Sequence, residues 1–144
     1  MARPRRILRI LSRRTRVALP LVVVLVSGAA CSSPSQRVQG RQGVLATYTT
    51  GRLYTDFGPE VRIPALVAAS DAALRSRGYT VTSRDVTLDQ GTVKAKRPGN
   101  GLFEQVVVEA KITSSGSRLI VRREPFGDEA TSRAILDHVL AHLM

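Results

Sequence analysis

The sequence predicts an α+β domain with the order β-α-β-β-β-β-α, an antiparallel sheet with two helices packed on one face. Three observations carry this. Apolar residues recur at helical spacing in two stretches, one mid-chain and one at the end. Four runs between them alternate with a period of two, and the turns separating those runs are short enough to make neighbouring strands antiparallel.

Thr-rich, β-branched and aromatic residues from Tyr48 to Phe57 predict the first strand, with Leu53, Thr55 and Phe57 on one face and Gly58-Pro59 ending it. Ile63, Leu66, Val67, Ser70, Ala73 and Leu74 then mark the first helix. Pro64 falls in its first turn, where the missing N–H costs nothing, and Gly78 sits where a left-handed C-terminal cap belongs. Strand-like runs follow at about 79–88, 91–97, 103–113 and 117–124, separated by Asp89-Gln90-Gly91, Pro98-Gly99-Asn100-Gly101 and Ser114-Ser115-Gly116. After Phe126-Gly127, Asp128 is a good N-cap, and Ser132, Ile135, Leu136, Val139, Leu140 and Leu143 draw an apolar stripe along the second helix.

Alternation assigns Val93, Ala95, Val106, Val108, Ala110, Ile112, Leu119 and Val121 to the covered face of the sheet. Lys94, Lys96, Glu109, Lys111, Arg122 and Glu124 point the other way. Two amphipathic helices and a half-buried sheet satisfy each other when both helices lie on the apolar face. The order is similar to the TATA-box-binding-protein-like architecture, a likeness of fold that carries no DNA function. The outward face is the candidate binding surface: Lys94, Lys96 and Arg122 stand around Val107 and Ile120, read here as an exposed apolar patch. Its expected partners are anionic lipid or another envelope protein; a solvated face whose lysines block edge pairing is the plainer reading.

The N-terminus reads as an export signal. Residues 1–16 carry seven arginines and no acid, residues 17–26 are almost wholly apolar, and Ser27-Gly28-Ala29-Ala30 supplies small residues before a cut. Cys31, the one cysteine of the chain, follows at once, so its thiol is positioned for acylation and the domain for membrane anchoring. Gly28 stands where a lipobox carries Leu or Val, and Gly28 with Ala30 also suits the ordinary signal peptidase, so a secreted protein with a free thiol is the alternative. The expected organisation is a signal peptide over 1–30, a lipidated Cys and flexible tether over 31–43, and one domain over 44–144. The expected address is the outer side of the cytoplasmic membrane, or the outer membrane facing the periplasm.

Seven of the 22 basic residues belong to the signal; the remaining 15 face 11 acidic ones, a net of +4. That is ordinary solubility rather than a nucleic-acid footprint, and the strands lack aromatics interleaved with basic residues. No nucleic-acid partner is expected. With Cys31 spoken for, the domain has no thiol for disulfides or a Cys-based metal site.

The residues also resemble the small bacterial lipoproteins grouped as domain of unknown function 3568. The matching pieces are Tyr48 with Gly51-Arg52-Leu53; Ala68-Ala69 and Ala72-Ala73-Leu74 leading to Gly78; Gly91-Thr92-Val93-Lys94-Ala95; and Phe126-Gly127-Asp128-Glu129-Ala130 with Ser132 and Ile135. Arg123 and Glu124 depart from the pattern, which implies a more exposed end to the last strand. The resemblance implies the address and the fold, and no activity.

No catalytic set, metal site or cofactor is expected. His138 and His142 are four apart on a helix, yet no third ligand is near in sequence and both lie off the apolar stripe. Gly99-x-Gly101 sits at a hairpin turn with no helix after it, and Ser114-Ser115-Gly116-Ser117 lacks a nucleophile elbow. In the Phe126-Gly127-Asp128-Glu129 run, a turn, a cap and a charge at the positive end of the helix dipole suffice. The expectation is a non-enzymatic envelope module; the alternative is an envelope hydrolase whose residues sequence spacing does not connect.

Overall fold

The computed structural model describes residues 33–99, 101 and 103–144. The expected signal peptide over 1–30 and Cys31 lie outside the described residues. The elements are β1 (Ser35–Gln39), β2 (Val44–Thr49), β3 (Arg52–Phe57), α1 (Ile63–Ser76), β4 (Thr80–Val86), β5 (Gln90–Lys96), β6 (Gln105–Thr113), β7 (Gly116–Glu124) and α2 (Glu129–His142). The strands form one antiparallel sheet in the order β1-β2-β3-β7-β6-β5-β4. The α+β class, both helices and the meander from β4 to β7 are as expected.

Two expectations at the N-terminal side are corrected. The strand read over 48–57 is two strands, because Thr50 (φ 47°) and Gly51 (φ 77°) form a two-residue turn with both φ values positive, the geometry that suits a tight hairpin. The tether read over 31–43 contains β1, an edge strand paired with β2 from Ser35↔Tyr48 to Gln39↔Val44. Its composition is polar because little of it is buried; it is held by its ladder and by α2. Arg133 Nη2 donates to the Ser35 carbonyl at 3.0 Å, the Gly40 amide donates to Asp137 Oδ1 at 3.0 Å, and Gln42 Nε2 donates to the Leu140 carbonyl at 3.1 Å. Arg133, although it is not part of the apolar stripe of the last helix, is therefore buried.

The α1 C-terminus closes as a Schellman motif. Gly78 takes φ 79°, its amide donates to the Arg75 carbonyl, and the Tyr79 amide reaches back to Leu74. Tyr79 packs against the core behind this cap. Leu53, Leu66, Leu74, Val93, Leu119, Val121, Ile135 and Leu136 meet in one buried cluster between the helices and the sheet. Ile112 belongs to the same sheet face by alternation but is 55 % exposed, since it lies near the end of β6 at the rim of a cleft. Arg123 also departs from expectation: it is half-buried, pairing with Glu104 at 3.0 Å and Asp128 at 3.1 Å, so the end of β7 is tied down.

Candidate functional site

The sheet face opposite the helices is built from alternate residues of the strands. One cross-strand row runs Arg52, Arg122, Val107, Lys94, and the next runs Tyr54, Ile120, Glu109, Thr92. Lys94, Lys96 and Arg52 are exposed on this face. Val107 and Ile120 are not: they are 1 % and 4 % exposed, which corrects their reading as an open apolar patch. The register gives the reason. Val107 faces Arg122 and Ile120 faces Glu109, so the two apolar residues occupy one diagonal of a four-residue square and the two charges the other. Arg122 Nη2 bonds Glu109 at 2.9 Å and Glu124 at 3.2 Å, laying its aliphatic stem across the apolar diagonal. Gln105 donates to Glu124 beside them. Arg122 is thus engaged within the face, and Lys94 and Arg52 stand exposed beside it.

At the rim where β6 turns into β7, a cavity of about 520 Å³ opens between the start of α1 and the β4–β5 and β6–β7 turns. Its lining is mainly apolar, with Val61, Ile63, Pro64, Leu88 and Ile112, and adds Ser114, Ser115 and Ser117. Ser117 Oγ donates to the Val61 carbonyl at 2.8 Å. No histidine, aspartate or glutamate is among the lining residues. A serine here therefore finds no base among the lining residues to take its proton.

The Phe126–Glu129 corner combines two jobs. Asp128 Oδ1 accepts from the Thr131 amide at 3.0 Å and Oδ2 from Thr131 Oγ1 at 2.8 Å, capping α2 as expected. These bonds, with Arg123 behind them, hold the Asp128 carboxyl below its ordinary 3.8. Glu129 is likewise lowered, by hydrogen bonding to Ser35 and then by Arg133, which it meets at 2.8 Å. Tyr48 is raised, chiefly by burial and then by the charges of Asp128 and Glu129. Sequence reasoning found the cap but missed that Gly127 lies against the backbone of Gly51, so two glycines 76 positions apart in the chain form one contact. Asp128→Ala should cost about 0.5–2 kcal/mol at neutral pH. Because the folded carboxyl titrates below the unfolded one, this contribution is present above pH 3.8 and is lost as pH falls through the folded value. Denaturant unfolding of wild type and variant across that range should show their difference shrinking in acid.

His138 and His142 are both exposed on α2, and among the described residues no group of three metal-ligating side chains occurs. No described helix is long and apolar enough to cross a membrane. Asp56 meets Arg118 at 2.6 Å and Asp71 meets Arg75 at 3.0 Å, so these scattered acids serve separate surface pairs.

A family model described as "Protein of unknown function (DUF3568)" matches residues 15–141, a span that runs through Cys31 and every strand and stops one residue short of the end of α2. No curated protein matches the chain.

Proposed function

Because this chain belongs to the family of proteins of unknown function DUF3568, whose description names no activity, we propose its role from its sequence signals and surfaces. It is an exported lipoprotein, held on a membrane by acyl chains on Cys31, and a non-enzymatic binding module of the cell envelope. Its sheet face meets an acidic surface of another envelope protein. The observation that carries this reading is a broad sheet face free of helices, with Arg52, Lys94 and Lys96 exposed. Envelope hydrolysis, the alternative, is less well supported. The cleft beside the β6–β7 turn has serines but no histidine, aspartate or glutamate in its lining, and the carboxyls that titrate low, Asp128 and Glu129, are occupied by a helix cap and an ion pair.

Two arms test this reading in the full chain. Mass spectrometry of the mature N-terminus should find acylated Cys31, and Cys31→Ser should release the protein from the membrane or block its processing. An unmodified Cys31 in membrane-associated wild type overturns the anchor. In the second arm, Arg52→Glu with Lys94→Glu should leave the fold intact, since exposed substitutions change stability by under about 0.5 kcal/mol each. Cross-linking to envelope partners should fall about tenfold at low salt and less at high salt. A folded, correctly localised variant with wild-type cross-links and salt dependence overturns the sheet face as the site.

A further inference from the structure

Antiparallel pairing sorts the loops onto two opposite rims of the sheet. Ser35 lies opposite Tyr48, Arg52 opposite Arg122, Gln105 opposite Glu124, and Thr80 opposite Lys96. One rim therefore gathers the start of β1, the Thr50-Gly51 turn, the end of β5, the start of β6 and the β7–α2 loop. The cleft with Leu88 belongs to the other rim.

The first rim exposes two aromatic rings. Phe103 and Phe126 are each 82 % exposed, and they are two of the three phenylalanines in the chain. Their segments are joined by Arg123, which bonds Glu104 at 3.0 Å, next to Phe103, and Asp128 at 3.1 Å, two positions beyond Phe126. The acids of this rim are thereby paired: Glu104 and Asp128 with Arg123, and Glu124 with Arg122. The cations Arg52 and Arg97 are exposed there. Bare aromatic rings flanked by exposed positive charge suit the boundary between anionic headgroups and acyl chains.

We propose that the rim bearing Phe103 and Phe126 is a membrane-contact surface, lying against anionic phospholipid with both rings in the interface. This rests on the reading of Cys31 as a lipid anchor, and the position of β1 supplies the geometric argument. Ser35 begins β1 on this rim, four positions after Cys31. At up to ~3.6 Å per residue, four residues reach about 14 Å at full extension. An anchor on so short a lead draws this rim to the bilayer and turns the cleft away from it.

The chain has no tryptophan, so a single indole is an unambiguous reporter. Phe103→Trp, Phe126→Trp and, on the far rim, Leu88→Trp would each be made in the full chain, exported, and the mature protein reconstituted into phosphatidylethanolamine–phosphatidylglycerol vesicles with brominated acyl chains. Circular dichroism confirms that each variant is folded. The reporters at 103 and 126 should be quenched about twofold or more, as expected for rings at the acyl boundary, and the one at 88 should be unaffected. Protein that floats with the vesicles but shows no quenching at 103 and 126, or equal quenching at all three sites, overturns the membrane-contact surface and leaves the anchor standing. Protein that fails to float overturns both.

Discussion

Leu136→Ala is expected to lower the stability of the domain by about 2–5 kcal/mol. Leu136 is fully buried in the cluster that joins both helices to the sheet, so truncation removes apolar contacts and leaves a cavity that a close-packed surround fills only in part. Two positions along the same helix, His138 is exposed, and His138→Ala should change stability by under about 0.5 kcal/mol. Urea unfolding of the two variants side by side checks the pair. Equal losses would mean that the helix buries a face other than the one described. Loss of structure on adding a chelator to the wild type would show that the histidines hold a structural metal.

Gly127→Ala should be nearly as damaging, for the opposite physical reason. A Cβ at this position would lie 2.2 Å from the Gly51 Cα and 2.7 Å from both the Gly51 carbonyl oxygen and the Tyr48 hydroxyl. Two of those three neighbours are backbone atoms of a tight hairpin, which cannot swing aside as a side chain can. The overpacking cost should reach about 3 kcal/mol, at the upper end for inserting atoms into a packed site. Gly101→Ala is the control: nothing lies within 4 Å of its would-be Cβ, and the change should be close to neutral. Thermal or urea unfolding separates the two. A neutral Gly127→Ala would mean that the hairpin and the β7–α2 corner do not touch in solution, and the conspicuous Phe-Gly-Asp-Glu run would need another explanation.

What could be read from the residues depended on whether burial was periodic. Both helices bury a stripe at 3.6-residue spacing, β5 buries alternate residues, and alternation along β7 puts Leu119 and Val121 on the helix side of the sheet, so the pattern of Val93, Ala95, Leu119 and Val121 carried enough information to place them. Strand β1 buries little and is secured by hydrogen bonds to Arg133, Asp137 and Leu140, partners that no local pattern reveals. The break between β2 and β3 was hidden because Thr50, a β-branched residue rarely found at positive φ, occupies the turn. On the uncovered face, alternation gave the side to which Val107 and Ile120 point but not their burial, which depends on an ion pair crossing between strands. Ile112 is the reverse case: its side of the sheet was legible, while the opening of the cleft beside it follows from where α1 begins.

The clasp on β1 also sets an order of events. Ser35, Gly40 and Gln42 are held by residues 98, 97 and 98 positions further along, all on the last helix. Contacts so distant in sequence close late, because the intervening chain must be delivered and its loop entropy overcome first. For a polypeptide threaded N-terminus first through a translocase, the stretch beside Cys31 would emerge early and be locked down only when α2 follows. If Cys31 is acylated as proposed, the processing and acyl-transfer enzymes would therefore have the whole interval of translocation in which to reach it before α2 secures the neighbouring strand.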